Sequence, residues 1–356
     1  MRTLALVVAN EASEAFKPLT GGAKAMASLG GRRLFQYIAE ELRQVFGDVY
    51  VASPEPLEGY NWVEAGPSES ALAKALELAP TAERALVADG SVITEAGAIR
   101  ALVEAAASSG AEGAVLAVPS RARGLAISMG AEGLLAGLGG ESQLIYGGLA
   151  LLPAKALRAA EGPSIAPLLA KAAEASKIAV AVWSGRWHRV EEPVDLLTAL
   201  EHVMPDATYI SPRAKISPTA VIEGPVKIEE GAEVDHYAVV KGPAYIGRGA
   251  FVGAHALVRN FADIEAEAVV GSSAEVSHSL IGARATVGRG AFVSYSVVGE
   301  EAVVEPGVLT MSVLRVGRER LRPIEVRGRE FYKLGALIPA RARVKAGSTL
   351  EPGQGF

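Results

Sequence analysis

The chain has no cysteine, which excludes disulfides, thiolate nucleophiles and cysteine-held metals. Any metal chemistry has to rest on carboxylates or histidines. Long apolar runs are missing too. Although 50% of the residues are hydrophobic, they are mostly Ala, Val and Leu interrupted by charge, and none approaches the ~18 consecutive apolar residues that cross a bilayer. Met1 to Ala9 lacks a small-residue cleavage site, so no secretory signal is read there, and a soluble, cytoplasmic protein is expected. Charge of one sign is absent as well: 35 basic and 40 acidic residues lie scattered, for a net −5. That leaves no electrostatic footprint for nucleic acid or anionic lipid. Asparagine occurs only at Asn10, Asn61 and Asn260. So few thermolabile side chains beside many Glu and Arg lead to the expectation of a thermophilic source. At ~150 residues per domain, the 356 residues suggest two or three domains.

What is present begins with a repeat. From Ile210 onward an aliphatic residue recurs every six positions, at Ile216, Ile222, Ile228, Val234, Val240, Ile246, Val252, Val258, Ile264, Val270 and Val276. Four residues after most of them stands an alanine, as at Ala232, Ala238, Ala244 and Ala250. Neither a helix nor an ordinary strand has this period. It is that of a hexapeptide solenoid, in which each hexad forms one flat side of a triangular coil and the small residue lets the chain turn the corner. A left-handed parallel β-helix is therefore expected. Two hexads, VSHSL and VSYSV, are one residue short, which predicts a register shift at two equivalent corners. Prism faces and ends of such solenoids expose strand edges and apolar surface, and a homotrimer is expected to cover them.

Residues 1 to about 200 alternate aliphatic runs with amphipathic stretches. Leu4 to Ala9, Val49 to Ala52, Ala85 to Ala88, Ala114 to Val118 and Ile178 to Val182 read as buried strands. Leu34, Phe35, Ile38, Leu42, Val45 and Phe46 fall on one helical face, as do Ile99, Leu102 and Val103. This is the pattern of an α/β domain with a largely parallel sheet, whose ligands sit outside the carboxyl ends of the strands. The predicted division is 1–204 for the α/β domain and 205–356 for the β-helix. Trp183 and Trp187 are read as sealing a domain interface, and Asp195 as a helix N-terminal residue.

The segment ANEASEAFKPLTGGAKAMASLGGRRLFQYI resembles the opening of the sugar-1-phosphate nucleotidylyltransferases. Pro18-Leu19-Thr20, Lys24-Ala25-Met26 and Gly31 through Leu34-Phe35 carry the match. LVADGSVIT resembles the family's strand ending in a metal-binding aspartate, YGGLALL its N-x-G-I-Y segment, and VEEPVDLLTA its closing I-G-T-P-E-D-L-L. The resemblance implies a Rossmann-like nucleotidylyltransferase domain that transfers a nucleotidyl group from an NTP to a sugar 1-phosphate with Mg²⁺, releasing pyrophosphate. It implies Lys24 as a catalytic phosphate contact, Asp89 as the catalytic metal ligand, and Asn10, Gly66, Gly124 and Gly148 as substrate-binding positions. The specificity loops would lie around Gly66 to Ser70 and at Gly124. The phosphate loop departs from the pattern: its glycines align with Glu11 and Ser13, its Thr with Glu14, and its Arg with Ala15. Carboxylates there oppose a triphosphate. The second metal carboxylate aligns with Arg189, and Glu191, two residues on, would substitute only with a shift of the strand.

In the solenoid, EVSHSLIGARATVGRGAFVSYSVVG and FYKLGALIPARARVKAGSTLEPG resemble bifunctional enzymes, of archaeal type, that also acetylate an amino-sugar phosphate with acetyl-CoA. The resemblance implies Tyr295 and Lys333 as ligand contacts. The acetyltransferase's histidine base aligns with Arg289, which stays protonated; its Asn aligns with Ser312. His236, His255 and His278 are read as solvated residues of the prism surface, the alternative being that one of them replaces the base across a subunit interface. Three expectations follow: a nucleotidylyltransferase using Lys24, Asp89 and Mg²⁺; a non-catalytic relative that binds a sugar nucleotide or partners an active paralogue; and an acetyl-CoA-dependent N-acetyltransferase.

Overall fold

The computed structural model describes residues 2–66, 70–119, 124–157, 165–314, 324–326 and 329–356. They form two compact units. The first comprises 1–13, 23–26 and 33–189, and the second 14–22, 27–32 and 190–356. Two short N-terminal segments and residues 190–204, placed by the sequence with the α/β domain, thus pack within the second unit.

The strands of the first unit include β1 (Thr3–Val8), β2 (Tyr50–Ser53), β3 (Asn61–Glu64), β4 (Arg84–Asp89), β5 (Val92–Ile93), β6 (Gly113–Pro119), β7 (Leu144–Pro153), β8 (Ile178–Val182) and β9 (His188–Arg189). Seven of them make one sheet in the order β8-β6-β7-β4-β1-β2-β3. All neighbours are parallel except β7, which runs antiparallel to both β4 and β6. All five strands expected from the sequence are present. β7 and β3 were missed: Gly147-Gly148 breaks the aliphatic run of β7, and the ladder shifts register there, between Tyr146 and Ala150. Helices α1 (Leu34–Phe46), α2 (Ala71–Leu78), α3 (Ala96–Ser108) and α4 (Ile165–Ala175) are the longer helices of the unit. α1 starts where Gln36 accepts the Arg33 N–H, and α2 where Ser70 accepts the Ala73 N–H. Leu34, Phe35, Ile38 and Leu42 of α1 are fully buried, as the amphipathic pattern requires. Trp183 and Trp187 pack onto this unit's own core.

The second unit carries helix α5 (Asp195–Val203) and a left-handed parallel β-helix of three seven-stranded sheets. Successive coils stack in register 18 residues apart, as in Ile210↔Ile228 and Ile228↔Ile246. The hexad aliphatics and corner alanines form one continuous core. The two short hexads shift the register where expected, so that Ile264 pairs with Ile281 and Ile281 with Val298. His278 and Tyr295 turn these corners at φ of 46° and 50°. The serines that follow are fully buried and stitch the corner. Ser279 Oγ accepts the Ser296 N–H (3.0 Å), and Ser296 Oγ accepts the Ala336 N–H (3.0 Å). A side-chain oxygen thus takes over as acceptor at each shortened corner.

Candidate functional site

Parallel pairing of β1 with β4 sets Val8 beside Asp89, so the two strands deliver Asn10 and Asp89 to the same carboxyl edge of the sheet. Asn10 is buried, and its Nδ2 donates to the Gly66 carbonyl at 2.7 Å. β5 pairs antiparallel with the distant β9, and the register Arg189↔Val92 returns the chain beside Asp89. There Arg189 Nη2 lies 2.9 Å from Asp89 Oδ2. Asp89 Oδ1 accepts the backbone N–H and the hydroxyl of Ser91, at 2.9 and 2.7 Å. Burial by itself would raise the Asp89 pKa. The charges of Lys24 and Arg189 and the Ser91 hydrogen bonds outweigh it and hold the carboxyl below its ordinary value.

Lys24 opens a short 3₁₀ turn, Lys24–Met26, and its side chain is only 3% exposed. Its Nζ is 3.0 Å from Glu11 Oε2, and that glutamate is 45% exposed. Gly148 passes beneath the aspartate at φ +83°, where a Cβ would come within 2.4 Å of Val92 Cγ2. Only glycine fits that backbone. Tyr146 is buried nearby, and burial raises its hydroxyl pKa far above the ordinary value.

Matched against family models, residues 5–209 fit the MobA-like NTP transferase domain, more than half of the chain. The chain belongs to that family. Residues 222–316 match the GMPPB C-terminal domain. No curated protein matches the chain. A MobA-like NTP transferase domain followed by a hexapeptide solenoid is thus a nucleotidylyltransferase-type chain with a C-terminal domain, and nucleotidyl transfer is the chemistry its family supports in general.

In this NTP transferase domain the structure brings Lys24, Asp89 and Gly148 toward one edge, with Asn10 tied to Gly66. Gly124 stands apart, exposed beside Ile145, and residues 67–69 of the expected specificity loop lie outside the described residues. Glu14 is exposed and ion-paired to Lys17 within the second unit. The residues present do not suit Mg²⁺. A hard divalent cation needs several oxygen ligands, and Asp89 has one oxygen on a guanidinium and the other on Ser91. Among the described residues no group of three or more His, Asp or Glu is placed to hold a metal.

In the second unit Tyr295 and Lys333 do meet. Lys333 Nζ sits 5.2 Å from the Tyr295 ring centroid, and Tyr295 stacks on His278 at 4.4 Å. His278 is not the solvated residue expected: it is 6% exposed, and its Nε2 lies 3.0 Å from the Leu197 carbonyl. Burial keeps its pKa below the ordinary value. His236 and His255 are exposed. Asp195, the first residue of α5, accepts the Glu191 and Glu192 N–H groups through Oδ2, the N-terminal role read from the sequence.

Sequence reasoning missed two partnerships. It placed Glu11 as a repulsive charge, not as the partner of Lys24, and Arg189 as a departure from the metal-ligand pattern, not as the ion-pair partner of Asp89. Asp89-Gly-Ser91 is an Asx-turn spacing that could have predicted the Ser91 hydrogen bonds.

Proposed function

We propose that the N-terminal unit binds the phosphates of a sugar nucleotide without a metal ion, and that the chain acts as a binding or regulatory relative of the sugar-1-phosphate nucleotidylyltransferases, alone or beside an active paralogue. The observation that carries this reading is the Asp89–Arg189 ion pair. Lys24 and Arg189 supply two cations close to the sheet's carboxyl edge, while Glu11 and Asp89 neutralise them. A ligand diphosphate competes with Glu11, the most exposed of the four side chains. Association into a homotrimer through the solenoid belongs to the same proposal and is tested by light scattering of the purified chain.

The test is thermal melting with a panel of nucleoside diphosphate sugars and NTPs, each with Mg²⁺ and with EDTA. Sugar nucleotides are expected to raise the Tm equally in both conditions. A rise that requires Mg²⁺, or pyrophosphate release from any NTP and sugar 1-phosphate, sinks the reading.

A second reading, nucleotidyl transfer from an NTP to a sugar 1-phosphate, is favoured by the delivery of both Lys24 and Asp89 to the sheet's carboxyl side. Pyrophosphate release that disappears in Asp89→Ala would establish it. Among the described residues no helix is long and apolar enough to cross a membrane.

A further inference from the structure

The arrangement around Asp89 has a chemical logic of its own. Divalent cations at phosphate sites cancel charge on both a carboxylate and the incoming phosphate. A guanidinium can do the same with no exchange of ions, since it stays protonated and presents five N–H donors in a plane. Arg189 is well placed for this. Its backbone is fixed by pairing with β5, its side chain is 18% exposed, and one nitrogen is committed to Asp89 at 2.9 Å. Asp89 is itself 12% exposed and oriented from its other oxygen by Ser91, so the pair cannot swing apart freely.

We infer that Arg189 is a built-in cation that takes the place of a divalent metal at Asp89, and that it sets the ligand class of the site: metal-free diphosphate esters instead of metal-bound triphosphates. The inference rests on the proposed binding function for its ligand, but its central claim concerns the metal and is tested without any nucleotide. The cation of a metal-bound triphosphate needs a carboxylate oxygen, and both oxygens of Asp89 are already engaged, one by Arg189 and the other by Ser91. A diphosphate diester brings two negative charges and no cation. With Lys24 already held by Glu11, such a ligand needs only that the exposed glutamate move aside.

Reversing the charge should recreate what the arginine replaces. In Arg189→Glu a second carboxylate faces Asp89. Glutamate is shorter than arginine, and two metal–oxygen bonds of about 2.1 Å each then fill the gap between the two carboxylates. The experiment is a Mn²⁺ titration of the full chain followed by the electron paramagnetic resonance signal of the free ion. It is run on the wild type, Asp89→Asn, Arg189→Glu, Arg189→Ala, and Arg189→Glu combined with Asp89→Asn. Folding of each is checked by circular dichroism.

The wild type is expected to show no saturable Mn²⁺ site. Arg189→Glu should bind one ion at least tenfold more tightly than Arg189→Ala, and the double variant should lose that site. A saturable site in the wild type that disappears in Asp89→Asn overturns the inference, whatever the variants do. So does a folded Arg189→Glu that binds no better than the wild type. Should Arg189→Glu fail to fold, Arg189→Ala, which frees Asp89 alone, carries the comparison: a gain of weak Mn²⁺ binding over the wild type supports the inference, and no gain overturns it. Failure of sugar nucleotides to bind would sink the proposed function while leaving the Mn²⁺ result standing, so the two are separable.

Discussion

Asp263 and Glu265 lie two residues apart at one end of a solenoid strand, both buried, and each accepts a glycine N–H from the same turn. Gly30 donates to Asp263 Oδ2 at 2.7 Å, and Gly31 to Glu265 Oε1 at 2.9 Å. Burial first and the Glu265 carboxyl second raise Asp263 well above its ordinary value, so the pair favours its protonated form. Asp263 Oδ1 is buried with no hydrogen-bond partner among the described residues. Tyr245 closes the site over Gly31, with Glu229 and Arg248 the further charges acting on its hydroxyl.

This pair makes stability depend on pH in a stated direction. Burial first, and the neighbouring carboxyl second, raise Asp263 well above its ordinary value, while burial lifts Glu265 to about 7. The folded protein therefore holds more protons than the unfolded chain between the ordinary carboxylate range and about 7. The stability contributed is fully present below the ordinary pKa and is lost as pH rises through the folded value. Urea unfolding midpoints should fall between pH 5 and pH 8, and Glu265→Gln should flatten that fall. A wild-type midpoint that climbs over this range refutes the raised carboxyl pKa values.

Asp89 runs the other way. Its folded pKa lies below the ordinary value, so its contribution is present above the ordinary carboxylate range and disappears as pH drops through the folded pKa. Acid unfolding of Asp89→Asn should accordingly show a shallower pH dependence than the wild type below about pH 4, the ordinary aspartate value.

The solenoid was legible residue by residue, because its hexad period fixes which side chains face inward, and even the shortened corners could be counted. What could not be read was how those corners close. Ser279 and Ser296 look like ordinary polar residues in a chain of them, and their role depends on carbonyls and amides a full coil away. The same holds for the candidate site. The motif positions of Lys24 and Asp89 were visible, but the pairing of Arg189 with Asp89 depends on β9 returning beside β5, a long-range register that no local pattern encodes, and Lys24 meets Glu11 beside the isolated bridge Ala12↔Ala23. Asp263 escaped notice because in a strand of alternating faces it reads as an outward, solvated carboxylate.

The corner serines give a stability test. Ser296→Ala removes the acceptor of the buried Ala336 N–H and the donor to the Ser294 carbonyl. Leaving such a group unsatisfied costs about 1–3 kcal/mol. Chemical denaturation should show a loss of that size, and Ser279→Ala, which strips the Ser296 N–H of its acceptor, should match it. A loss below the error of the measurement for both would mean that water enters the corner and that the hydroxyls are not its structural acceptors.

Glu11 provides the functional counterpart. Its carboxylate is the half-exposed partner of a lysine whose own side chain is 3% exposed, so an anionic ligand must compete with it for Lys24. Glu11→Gln keeps the shape and removes the charge, which leaves the lysine's positive field unopposed at that point. A surface-accessible charge contact of this kind is worth about 1 kcal/mol, or several-fold in affinity. Titration with a nucleoside diphosphate sugar should therefore give a several-fold lower Kd for Glu11→Gln than for the wild type, and the gain should shrink in high salt because the interaction is electrostatic. Lys24→Gln should abolish the binding that Glu11→Gln enhances. If Glu11→Gln weakened binding instead, the glutamate would have to be a contact of the ligand itself, for instance to a sugar hydroxyl, and the picture of a displaceable placeholder would be replaced by one in which Glu11 and Lys24 hold the ligand together.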